Sequence, residues 1–324
     1  KKELVENEMG KKLQGKGAQH NFEFKAVGDM TSGNTTTAIT NENTPGFLEA
    51  GVNRPAKRPT FIQSLIRTAF LANTRTVTWF ERTTTEGAVA TRAENAIMSQ
   101  IDYDWERKQE PLKFISAYTK ITNEALMDMS WLMSEINWEL FTDLELKLDE
   151  QLLNGDNLTT NLNGIITQAT AFAAGAFATA VDNANNQDVL RVAINQIILA
   201  NHMPNYIVMH PSDVAAMDLA KASDGHYILP PFSTNGNTVI KGLPIVQNTG
   251  ITAGDYLVMD STKATAYFRE GINIRIWDQN ENDPLYNRKT ITANVEVLNR
   301  IKGNDTTAFV VGDFATDKAA LETP

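Results

Sequence analysis

Residues 121–166 read ITNEALMDMSWLMSEINWELFTDLELKLDEQLLNGDNLTTNLNGII. Leu126, Met129, Met133, Ile136, Leu140, Leu144, Leu148 and Leu152 recur every three or four residues, the period of one helix face. The run predicts a single helix of roughly 45 Å at ~1.5 Å per residue, well above the globular average. Asn154-Gly155-Asp156 stops it, with Gly155 suited to the left-handed conformation that closes many helices. Trp131 and Trp138 are seven apart and off the leucine stripe. They are expected beneath strands or against a neighbouring molecule.

Towards the carboxyl terminus, TQATAFAAGAFATAVDNANN (167–186) is rich in small residues and reads as a strand pair or a loop. Residues 186–201 form an amphipathic helix, with Val189, Leu190, Ala193, Ile194, Ile197 and Ala200 on its apolar side. Asn185 or Asn186 can cap it. Residues 206–209 read as a short buried strand, and Pro211 suits the first turn of the next helix. Residues 238–247 and 255–260 read as strands between glycine-containing turns. Residues 264–277 and 289–300 alternate apolar and polar side chains, as in Ile291, Ala293, Val295 and Val297, the pattern of a half-buried antiparallel pair. A last short strand falls at 307–311. Helices and strands mix without a regular βαβ repeat, so the class is α+β.

Towards the amino terminus, residues 1–50 are polar and loose, as in GKGAQ and TSGNTTTAITNENTPG. Ala50 to Phe80 then holds Arg54, Lys57, Arg58, Arg67 and Arg75 and no acid. That segment reads as a solvated basic face, as an arm on the acidic surface of another molecule, or as a DNA contact. Residues 75–121 predict a long hairpin. TRTVTWFERT leads out, LKFISAYTKI returns, and the residues between form a polar tip. An isolated two-stranded hairpin is marginal in water, so this one is expected to lie on another surface.

Composition narrows the function. The net charge is −10, a poor match to phosphate backbones. Residues 1–120 carry 17 basic against 14 acidic side chains, and 121–324 carry 12 against 25. With no cysteine, disulfides, thiolate metal sites and thiol catalysis are excluded, and a reducing compartment is expected. No run reaches the ~20 apolar residues of a membrane span, and KKELVENEMGKKLQGKG lacks the apolar core of a secretory signal. No nucleophile elbow, phosphate loop or H-E-x-x-H motif is present. His202, His210 and Asp213 are a weak metal candidate, and Asp149-Glu150 and Asp102-Asp104 read as solvated acids. No catalytic, cofactor or metal site is expected, and the chain does not read as an enzyme.

The long helix ending in LLNGD, followed by PNYIVMHPSDVAAM (204–217) and KGLPIVQNTGITAGDYLVMD (241–260) in that order, resembles tailed-bacteriophage major capsid proteins of the Hong Kong 97 phage fold. The resemblance covers Thr60 to Phe314. It implies an amino-terminal arm (1–74), an extended hairpin loop (75–121), a peripheral domain with the spine helix (122–179) and an axial domain (180–263). Peripheral strands (264–304) and a return to the axial domain with the tail (305–324) complete it. It further implies hexamers and pentamers tiling an icosahedral shell around double-stranded DNA, which is enclosed without sequence-specific binding. Portal, scaffold or protease, and minor capsid or decoration proteins are the implied partners. The implied location is the virion capsid, assembled in the host cytoplasm. Interface candidates are Arg54, Lys57, Arg58, Arg67, Arg75, Trp79, Phe80, Arg82, Arg92, Trp105, Trp131 and Trp138. Some relatives crosslink a loop lysine to an asparagine of another subunit. Residues 83–106 contain no lysine, so non-covalent assembly is expected. An encapsulin-type shell enclosing cargo enzymes and a soluble enzyme on an unrelated α+β fold are the alternatives.

Overall fold

The computed structural model describes residues 54–323, except 73, 129–130, 222–224, 226 and 228–238. Expectations for residues 1–50, and for most of the turn after 221, lie outside the described residues. The chain divides into two units, 1–56 and 57–324, and the second holds every element below. In chain order these are α1 (Ile62–Leu65), β1 (Arg67–Phe70), β2 (Thr76–Gly87), β3 (Ile101–Pro111), β4 (Lys113–Thr122), α2 (Asn123–Asp128) and α3 (Leu132–Asn154). Then come α4 (Ile165–Gln168), β5 (Thr170–Ala171), α5 (Asn186–Leu199), β6 (Tyr206–Met209), α6 (Pro211–Asp218), β7 (Val239–Ile240), β8 (Leu243–Gln247) and β9 (Asp255–Met259). The last are β10 (Ala264–Phe268), β11 (Asn273–Trp277), β12 (Arg288–Ile301), β13 (Phe309–Asp313) and α7 (Phe314–Leu321).

Two sheets carry the body. In the first, β12 holds β10 and then β11 along one edge and β4 along the other, and β1 adds to β10. The alternation read in 289–300 is this strand's burial pattern, with Ile291, Ala293, Val295 and Val297 turned inward. Against that face lie Leu144, Leu148, Leu152 and Leu153 of α3. The second sheet runs β5-β13-β9-β6-β8-β7. Its core joins Val189, Ala193 and Ile197 of α5 to Ile207, Val258, Val310, Phe314 and Leu321. Asn185 caps α5 in a reciprocal box with Asp188.

Three readings of the secondary structure are corrected. First, the long helix is shorter than expected. α3 spans 23 residues from Leu132, about 34 Å at ~1.5 Å per residue. Asn123–Asp128 is a separate helix, and Met129 lies outside the described residues. Only the carboxyl-terminal half of the leucine stripe is fully buried.

Second, Gly155 is not left-handed. Its backbone lies at φ −53°, ψ 132°. Space, not φ, requires glycine there. A Cβ at Gly155 would stand 2.3 Å from the Leu162 carbonyl oxygen, and one at Gly164 would stand 2.3 Å from the Gly155 nitrogen. The Gly164 N–H donates to the Gly155 carbonyl at 2.8 Å, so two backbones cross in contact.

Third, the hairpin closes earlier than expected. β2 pairs with β3, not with LKFISAYTKI. That apolar segment is β4, laid along β12 from Lys113–Val297 to Thr122–Arg288. Its branched and aromatic residues mark it as a strand, but its partner lies far along the chain. The true return strand, IDYDWERKQEP, is highly charged because most of it faces water.

Candidate functional site

Among the described residues no group of three or more His, Asp or Glu side chains is placed to hold a metal. The side chain of His210 caps α6 by accepting from the Ser212 N–H, and Asp213 accepts from the Gly254 N–H at 2.8 Å. His202 lies beyond the end of α5. The chemically distinctive regions are the basic segment and the hairpin.

The basic segment is stapled to its own chain. Lys57 donates to Glu139 and, at 2.6 Å, to Asp143, and its ammonium lies 5.6 Å from the Trp138 ring centre. The hydrogen bond to Asp143, then that to Glu139, raises the Lys57 pKa. Arg58 donates to Asn248 at 3.0 Å and to the Leu146 carbonyl at 3.3 Å, and stands 3.6 Å from Asp149. Asp149 is buried on α3 and accepts from the N–H groups of Ile62 at 2.8 Å and Phe61 at 3.2 Å. It anchors α1 to α3, which corrects the reading of Asp149 as a solvated acid. Arg75 pairs with Glu296 at 3.5 Å and stacks on Phe114. Lys57, Arg58 and Arg75 thus each pair with acids of their own chain. Composition revealed the opposite charges but not that Glu139, Asp143 and Asp149 line up on α3. Arg67 is exposed on β1, and Arg54 is exposed within the first unit.

The hairpin has two unlike faces. In its rooted part the odd-numbered residues of β2 turn to the body. Val77 is buried with Leu112 and Leu298, and Trp79 packs beside them. Glu81 is only 5% exposed. Burial works to raise its pKa. Hydrogen bonds from Trp79, the Gly303 amide and Lys108, with the Lys108 charge, overcome this and hold it below the ordinary carboxylate value. The opposite face carries Phe80 and Arg82, set against Arg107 and Trp105 across the ladder. Phe80 is 68% and Trp105 65% exposed. Arg82 lies over the Tyr103 ring. In the tip, Arg92 donates to the Ala96 carbonyl at 2.6 Å, and Val89 and Ile97 are 86% and 95% exposed. Tryptophan and arginine together are the side chains that anchor protein interfaces. Trp131 and Trp138 are also exposed, so they do not pack beneath strands. Glu81 was missed from the sequence, although its alternation with Val77 and Trp79 places all three on one face.

The hairpin is thus a two-stranded ribbon whose outer face is exposed, apolar and cationic. The sequence model of the Phage capsid family matches residues 44–314; the chain belongs to the phage capsid family. The major capsid protein of Enterobacteria phage HK97 is 30% identical over 166 residues, which cover 51% of this chain and 42% of that relative. The chain therefore aligns with less than half the length of that protein. A solved chain of Microbacterium phage Oxtober96 superposes with a TM-score of 0.68 at 14% identity, covering 85% of this chain and 99% of that one. A chain from the capsid of a native GTA particle gives 0.65 at 14% identity, covering 87% and 98%. At such identities the superpositions establish the fold, which is of the Hong Kong 97 type.

Proposed function

We propose that this chain is the major capsid protein of a tailed phage, assembling with copies of itself as hexamers and pentamers into an icosahedral shell around double-stranded DNA. The observation that carries the reading is the hairpin. It is a separate two-stranded sheet whose tip and outer face are exposed, inside a chain whose family forms phage capsids. An exposed ribbon of this kind gains a stable setting when another subunit covers it. Phe80, Arg82, Arg92 and Trp105 are its contact residues, with Trp131 and Trp138 on α3 as a second surface. In this reading α3 and the β12 sheet form the peripheral domain, and α5 with the β9 sheet forms the axial domain around each capsomer centre.

Portal, scaffold or protease, and minor capsid proteins are the proposed partners, and assembly takes place in the host cytoplasm. Such contacts are heterologous and close into rings. The acidic balance keeps the shell from gripping the DNA it encloses. Electron microscopy of the purified protein tests this: closed shells are expected, and a protein that stays monomeric under all assembly conditions would overturn it. Because the loop tip lacks lysine, particles boiled in detergent should release a 35.8 kDa monomer; a covalent ladder would contradict non-covalent assembly.

A further inference from the structure

Above its apolar root the hairpin meets the body at a buried carboxylate, Glu81. The Glu81 Oε1 accepts from the Gly303 N–H and from the Trp79 indole N–H, each at 2.7 Å. Lys108 of β3 stands 3.2 Å from Oε2. One residue further, the Asn304 side-chain amide donates to the Arg82 carbonyl at 2.9 Å. Gly303 leaves the space this contact needs, since a Cβ there would stand 2.9 Å from the Glu81 Oε2. Arg300 closes the other side, its guanidinium 5.2 Å from the Trp79 ring and 5.0 Å from the Tyr267 ring.

Immediately beyond this point the ladder changes. Its register shifts between Arg82 and Thr85, an irregularity of the kind that bends and twists a ribbon. Past Glu81 every remaining residue of β2 is exposed. Glu81 and its neighbour are thus the last fixed point before a free arm. From Arg82 to Gly87, where β2 ends, a strand at ~3.3 Å per residue reaches about 17 Å, so a swing of about 10° at the root displaces its end by about 3 Å. That is enough to miss a partner surface.

We propose that Glu81, bonded to Gly303, is the positioning residue that sets the direction in which the hairpin leaves the body, and thereby decides whether subunits close into regular shells. The second half of this rests on the shell-forming reading above. The apolar contacts of Val77, Leu112 and Leu298 lie below the latch, so breaking it frees the direction of the arm without detaching its root.

The chain has no cysteine, so two introduced thiols are unique labelling sites. Nitroxides at Thr91→Cys in the tip and Lys147→Cys on the long helix report the hairpin's direction in the soluble subunit by pulsed electron paramagnetic resonance. The parent should give one narrow distance distribution. Glu81→Ala, and separately Gly303→Ala, should broaden it at least twofold, while Glu81→Gln, which keeps an acceptor for the Gly303 N–H, stays close to the parent. In unlabelled protein, Glu81→Ala should cut the yield of regular shells about tenfold while Glu81→Gln restores it. Unchanged distributions in both alanine variants would overturn the latch. Broadened distributions with undiminished shells would overturn its role in closure. Broadened distributions in a parent that never forms shells would keep the latch and sink the shell-forming reading instead.

Discussion

The long helix α3 and the β2–β3 hairpin are both extended elements, yet they are held by opposite means. α3 lays Leu144, Leu148, Leu152 and Leu153 into the main core and takes ion pairs from Lys57 and Arg58 along its flank. The hairpin buries Val77 and Glu81 at its root, and the rest of β2 is half-buried or exposed. Apolar burial stabilises by roughly 25 cal/mol per Å², so the helix owes its order to its own chain. The hairpin's outer part has no such support among the described residues. The difference separates residues that maintain the fold from residues available for assembly.

The sharpest way to break that contrast is in the core. Leu148→Ala should destabilise the subunit by about 2–5 kcal/mol, read by denaturant unfolding, because the side chain is almost wholly buried between α3 and the sheet. A loss under about 1 kcal/mol would mean that the helix is not the organising element.

A smaller effect is expected where the basic segment is stapled down. Asp149→Ala leaves the Ile62 and Phe61 N–H groups without their acceptor and Arg58 without its acid, a loss of about 1–3 kcal/mol. Unchanged stability would return the segment to the status of a solvated arm.

A still more local effect should follow acidification of the hairpin root. The Glu81 pKa is depressed in the folded chain, since hydrogen bonds from Trp79, Gly303 and Lys108 outweigh burial. A depressed carboxylate contributes stability that is present above its unfolded value, about 4.3, and is lost as pH falls through the folded value. Hydrogen exchange of the Val77–Glu81 amides should therefore quicken relative to core amides only below about pH 4.3. Glu81→Gln should lack that acid step. An identical acid profile in the variant would show that Glu81 does not carry the root's pH response.

Much of this was legible in the sequence, for reasons tied to particular residues. The 3.6-residue period of Leu140, Leu144, Leu148 and Leu152 announced the helix, and the two-residue alternation from Ile291 to Val297 announced β12. The Asn185-Asn186 pair announced the start of α5, and Asn185 is the residue that caps it. What stayed hidden depended on contacts distant in the chain. β4 looked like the hairpin's return strand because it is apolar and nearby, whereas its partner β12 lies more than a hundred residues away. The real return strand looked like a loop because a ribbon exposed to water needs no apolar face. Asp149 looked solvated because nothing in its neighbours shows that Ile62 and Phe61 present their N–H groups to it. Gly155 was rightly singled out but for the wrong cause, since its crossing partner Gly164 lies beyond a loop. The hairpin's outer face combines Phe80 and Arg82 with Trp105 and Arg107 through strand register, which residue spacing alone does not reveal.

The central claim is that the outer hairpin serves assembly and not the fold. Deleting Gly87 to Ser99 and joining the strands tests it most directly, with melting temperature and electron microscopy read on the same preparation. The account predicts a soluble subunit whose melting temperature is within about 2 °C of the parent, as for exposed surface changes, and which forms no closed shells. Normal shells from the shortened chain would contradict it.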